Sequence, residues 1–182
     1  QMYAEKKYGK DQTFRFDPAT VTMAHPDALI SMLSGGANIV GHWASPPFGQ
    51  RELKDPAIRT IMNSDDVMGG STTFTMMSTT TKFRNENPKL YGAVLKALKR
   101  AQEMIAEDRK GAAAVLLESM GGKGWSLDEL VAILADPSTK YTLRPEHVLT
   151  YANFMQASGS LKNKPAGLAD LFFTTPEIAG GN

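Results

Sequence analysis

The chain has 182 residues, 42% of them hydrophobic, with 20 Lys and Arg against 19 Asp and Glu and no Cys. That composition excludes a disordered chain and every disulfide, thiolate-metal or Cys-nucleophile chemistry, and a net charge of +1 gives no electrostatic reason to expect nucleic acid as a partner. The apolar runs are only a few residues long, far short of the roughly 18–20 that span a bilayer.

In chain order, residues 2–8 read as a short helix that stops at Gly9. Because this helix follows Gln1 directly, the chain is expected to begin inside a larger protein. Residues 21–24 are rich in β-branched side chains and read as a strand. His25-Pro26-Asp27 then opens a helix, with Pro26 suited to the first turn and Asp27 to its positive end. Ala28, Leu29, Met32 and Leu33 share one face of that helix, and Gly35-Gly36 stops it. Residues 38–44 read as a second strand, ended by Ser45-Pro46-Pro47-Phe48. A short strand over 58–62 precedes the polar run Asn63-Ser64-Asp65-Asp66 and the pair Gly69-Gly70. Residues 71–81, crowded with Thr, form the most β-prone stretch of all. Alternating strands and helices predict a mostly parallel sheet covered by helices.

The style then changes to helix. Asn87 caps and Pro88 opens an amphipathic helix with Leu90, Tyr91, Val94, Leu95, Leu98, Ala101 and Ile105 on one face. Residues 112–120 continue as helix to Gly121-Gly122. Ser126 and Glu129 make a capping box for a helix through Leu134. Pro145 opens another, carrying Val148, Leu149, Ala152, Phe154 and Met155 to Gly159.

Catalytic signatures are missing from the sequence. His25, His42 and His147 stand in no HxH or HExxH spacing, so no metal is expected. GxSxG, GxxxxGK[ST] and GxGxxG are all absent, and Asp65-Asp66 reads as a solvated turn. His25 reads first as a turn residue and second as a ligand group at a helix mouth. His42 and Trp43 alternate along their strand, so only one of the two faces the core. Two places suit binding. Trp43-Ala44-Ser45-Pro46-Pro47-Phe48 offers an aromatic wall and a hydroxyl on a loop fixed by prolines. Gly69-Gly70-Ser71-Thr72-Thr73-Phe74 offers close backbone approach with hydroxyl and N–H donors for an anion. Each also reads simply as a rigid turn and a strand start.

At these residues the sequence resembles a known group. His25-Pro26-Asp27-Ala28, Leu33-Ser34-Gly35, Gly41-His42-Trp43 and Ser45-Pro46-Pro47-Phe48 are similar to the periplasmic substrate-binding proteins of ABC importers for nitrate, taurine and aliphatic sulfonates. Asp66-Val67-Met68-Gly69-Gly70, Thr73-Phe74, Lys82-Phe83, Asn87-Pro88-Lys89-Leu90-Tyr91, Tyr141-Thr142 with Pro145, Ala152-Asn153-Phe154-Met155 and Asp170-Leu171-Phe172-Phe173 follow in the same order. The family has two α/β lobes and is longer, with a signal peptide and a complete amino-terminal lobe.

The resemblance therefore implies an incomplete type II periplasmic-binding α/β fold. Residues 1–70 would be most of the second lobe, 71–83 a hinge-crossing strand, and 84–182 a helical part packing mainly with the first lobe. It implies a periplasmic or other extracytoplasmic receptor that hands its solute to a membrane permease, without a cofactor, a nucleic-acid partner or catalysis. Its ligand residues would be Trp43, Ser45 and Pro46, with Gly70, Ser71 and Thr72 across from them and His25 at the rim. Arg144 stands where the family often has a small hydroxyl residue. Two other readings compete: a pyrimidine synthase of the same fold family, which consumes a histidine and needs iron, and a helical interaction module over residues 88–173.

Overall fold

The computed structural model describes residues 1–35 and 38–182, with Glu177 described by its backbone alone. The expected α/β architecture is corrected outright: 53% of the chain is helical and, among the described residues, there is no strand and no sheet. Residues 21–24, 39–44, 58–62 and 71–80 run as irregular chain. β-branched side chains favour a pleated surface only where a neighbouring strand supplies the ladder and the packing. That support is missing here, for Val40 is 96% exposed, Ile61 85% and Phe74 78%. The crossing strand expected over 71–83 fails for the same reason, and its end is taken by a helix.

The described helices are α1 (Met2–Tyr8), α2 (His25–Ser34), α3 (Phe48–Glu52), α4 (Ser64–Met68), α5 (Thr81–Glu86), α6 (Pro88–Glu107), α7 (Arg109–Ser119), α8 (Leu127–Leu134), α9 (Val148–Ala157) and α10 (Pro176–Ala179). None is long and apolar enough to cross a membrane among the described residues. The chain divides into two compact units, Gln1–Val67 and Met68–Asn182.

In the first unit, local signals place the helices. Ala24 is extended before α2, Pro26 lies in its first turn, and Gly35 ends it in the left-handed region at φ 64°, which costs glycine no Cβ clash. Gly36, the other half of the expected stop, lies outside the described residues. Ala28 and Leu29 are buried, whereas Leu33 of the same expected face is 44% exposed. Helix α3 begins where the prolines end, with the N–H groups of Phe48 and Gly49 both donating to the Ser45 carbonyl at 2.9 and 3.3 Å.

In the second unit the core is built by α7 and α8. Ala113, Leu130, Ile133 and Leu134 are buried together, with Ile105 of α6 and Trp125 packed against them. The Ser126 hydroxyl accepts the Glu129 N–H at 3.2 Å, and the Glu129 carboxylate accepts the Ser126 N–H at 2.8 Å. Ser126→Ala is expected to cost about 1 kcal/mol, read as a lower midpoint in a urea melt followed at Trp125, with Ser138→Ala in an exposed turn as the reference.

The helix expected to open at Pro88 does so, though without the expected side-chain cap, and the start expected at Pro145 is corrected. Asn87 does not cap α6 with its side chain; its amide donates to the Phe83 carbonyl at 3.1 Å and closes α5 instead. Pro145 does not open α9, which starts at Val148. The preceding backbone is held elsewhere, because the Thr73 N–H donates to the Glu146 carbonyl at 2.9 Å and the Glu146 N–H donates to the Thr73 hydroxyl at 2.8 Å.

Candidate functional site

Within the Gln1–Val67 unit, four side chains from three stretches of sequence form one hydrogen-bonded chain. Ser45 Oγ lies 3.1 Å from His25 Nε2, His25 Nδ1 lies 2.9 Å from His42 Nε2, and His42 Nδ1 lies 2.6 Å from Glu52 Oε1. Each member is held by local structure. His25 is the first residue of α2, its ring stacked on Phe48 with centroids 5.5 Å apart and planes 19° from parallel. Glu52 closes α3, one helical element on from the Ser45 turn, and α2 packs against α3.

Burial grades along this chain. The side chains of Glu52 and His42 are 5% and 9% exposed, while His25 and Ser45 are half-buried and Pro46 is exposed. Trp43 is 63% exposed. Of the neighbouring pair His42 and Trp43, the histidine is therefore the inward member.

The hydrogens can be assigned by bookkeeping. A carboxylate only accepts, so His42 Nδ1 carries hydrogen and donates to Glu52. A neutral His42 then accepts at Nε2, so His25 donates from Nδ1. A neutral His25 accepts at Nε2 in turn, and the Ser45 hydroxyl donates inward. The result is a buried carboxylate whose influence reaches a hydroxyl at the edge of the site, the arrangement that second-layer partners impose on histidine tautomers.

Such a chain also resembles the activation of a nucleophile, but the four residues that follow Ser45 offer no spare N–H to a developing oxyanion. An acyl-transfer site needs N–H groups aimed at the developing oxyanion. The two residues after Ser45 are prolines, which have no N–H, and the next two N–H groups are spent on the Ser45 carbonyl.

The other expected ligand residues, Gly70, Ser71 and Thr72, belong to the Met68–Asn182 unit. The Ser71 carbonyl lies 2.7 Å from His147 Nδ1 and therefore takes its hydrogen, leaving Nε2 as the acceptor. The Thr72 hydroxyl donates to the Gly70 carbonyl at 3.3 Å. Gly70 sits at φ 151°, and a Cβ there would stand 3.0 Å from His147 Cε1, so the histidine ring fills the space a side chain would take.

In the sequence His25 and His42 stand out separately, Phe48 only as part of the proline loop and His147 only as a histidine without ligand spacing, while Glu52 is not singled out. Two histidines and a glutamate within residues 25–52, the glutamate on the short stretch behind two prolines, was the signal available. Among the described residues no group of three or more His, Cys, Asp and Glu side chains is arranged to hold a metal ion. Comparison with protein-family models, curated proteins and solved structures returns no match.

Proposed function

We propose that this chain is the solute-capturing part of an extracytoplasmic importer receptor, taking a small anion of the sulfonate, taurine or nitrate type at Ser45 and His25 for delivery to a membrane permease. The observation that carries this reading is the chain Ser45–His25–His42–Glu52, which orders a hydroxyl and an imidazole at the edge of a buried polar cluster. A hydroxyl and an imidazole can hold, without a permanent counter-charge, a small anion that must later be released. Binding is favoured over turnover by the absence of N–H donors on Pro46 and Pro47. The exposed indole of Trp43, two residues before Ser45, offers apolar area for the organic part of a sulfonate. The reading rests on this site and on the resemblance at residues 41–48, and takes nothing from a sheet architecture.

Isothermal titration with nitrate, taurine and ethanesulfonate tests it. Saturable binding of at least one is expected, weakened about ten- to hundredfold in Ser45→Ala, the loss that goes with one hydrogen bond to a charged group. No saturable binding of any of the three would overturn the reading.

A further inference from the structure

We infer that the site captures its anion together with one proton, which is stored on the His25–His42 pair and balanced by the buried Glu52 carboxylate. The inference rests on the receptor reading and adds to it a stoichiometry and a ligand class: singly charged, strongly acidic oxoanions.

With both imidazoles neutral, three contacts are made by three hydrogens: His42 Nδ1–H to Glu52, His25 Nδ1–H to His42, and the Ser45 O–H to His25. The direction of all three is forced once the carboxylate accepts. In this state Ser45 turns only lone pairs outward, and the cluster carries one negative charge. An arriving anion then meets no hydrogen of Ser45, His25 or His42, and the Glu52 carboxylate is a like charge.

The Ser45 hydroxyl has a single hydrogen, so it can donate to the anion only by leaving His25. Without compensation, His25 Nε2 then faces the site as a half-buried acceptor with no donor, which is unfavourable in itself. One added proton removes the conflict. His25 becomes an imidazolium that donates from Nδ1 to His42 and from Nε2 to Ser45 Oγ, and the Ser45 hydroxyl rotates outward to donate to the anion. Every contact of the empty chain is kept, one new donor faces the ligand, and the cluster is neutral before the anion enters. The proton comes from solvent and returns to it on release; no covalent bond to the ligand forms or breaks.

The two helices that meet at the pair bring charged groups close in sequence to it. Helix α2 supplies His25 and the exposed Asp27, and α3 supplies Glu52 and the half-buried Arg51. Glu52 hydrogen-bonds to the histidine pair through His42 Nδ1. The indispensable member is therefore a residue that never touches the ligand: Glu52 is a positioning residue, fixing the His42 tautomer and paying back the charge of the stored proton.

Nitrate and ethanesulfonate do not titrate near neutral pH, so any proton taken up on binding belongs to the protein. Titration calorimetry of the whole chain over about pH 5 to 9, in buffers of different ionisation enthalpy, gives the proton count directly. Uptake rising toward one is expected toward the alkaline end, where Kd increases about tenfold per pH unit, as linkage of one proton requires. In Glu52→Gln, whose amide carbonyl still accepts from His42, the pH slope should flatten and uptake fall. On the unaltered protein, ring-nitrogen NMR should show His25 passing from neutral to imidazolium when nitrate is added at fixed pH, which keeps the test independent of how the variant folds. Binding with zero proton uptake and an unchanged His25 signal would overturn the proton inference and leave the receptor reading standing. No binding of either anion at any pH would overturn both.

Discussion

Leu130→Ala is expected to destabilise the Met68–Asn182 unit by about 2–5 kcal/mol, the range for a large apolar side chain truncated at a fully buried site. Leu130 is 0% exposed and is packed with Ala113, Ile133 and Leu134, so the void has few ways to close. Trp125 lies against the same cluster. In a Trp43→Phe background it reports the unfolding of this core alone, since the chain has two tryptophans. Val115→Ala is the reference, because Val115 is 63% exposed on α7, and its expected cost is within about 0.5 kcal/mol. Equal midpoints for the two variants would show that the α7–α8 cluster is not the core of this unit.

His42→Leu is expected to cost the Gln1–Val67 unit about 3 kcal/mol, because it strips the donor from a carboxylate that is 5% exposed while leaving that carboxylate buried. Glu52→Leu alone should cost less, since the imidazole it abandons keeps its contact with His25. The double variant should recover much of the loss: two apolar side chains of suitable size replace a pair whose desolvation was a cost. Hydrogen exchange at the Ala28 and Leu53 amides, which donate to the carbonyls of Ala24, just before α2, and of Gly49 in α3, reads the unit's opening directly. Additive single and double effects would show that the two side chains are not coupled.

Where the sequence was legible, the signal was local. The stop at Gly9 needs only a residue that tolerates φ 93°. The stop at Gly35 and the start at Pro26 likewise depend on one turn of backbone. The Ser126–Glu129 box closes within four residues and forms as expected. Strands were misread because their signal is a preference for a partnered surface. Residues 71–80 have that preference and no ladder, and the Thr80 hydroxyl accepts the Phe83 N–H at 3.0 Å, which turns the end of the run into the cap of α5. Helices α3, α4 and α5 escaped notice because five or six residues carry too little periodicity to be read as helix.

The candidate site divides in the same way. His25 and Ser45 were singled out from sequence by their places at a helix start and a proline turn, and His42 by its alternation with Trp43. Their joining into one hydrogen-bonded chain spans separations of 17 and 20 residues, and no local rule places such contacts. Glu52 was marked only by its place shortly after two prolines, for an isolated glutamate reads as solvated until packing shows it buried.

By itself, then, the sequence determined the helix boundaries that caps, prolines and glycines enforce within one turn of chain, and the inventory of polar groups near the Ser45 turn. The tertiary structure decided which β-prone segments stay unpaired and which glutamate is buried against which histidine. The reason is physical: capping energies are spent between neighbours in sequence, whereas ladder pairing and desolvation are settled only when distant segments are brought into contact.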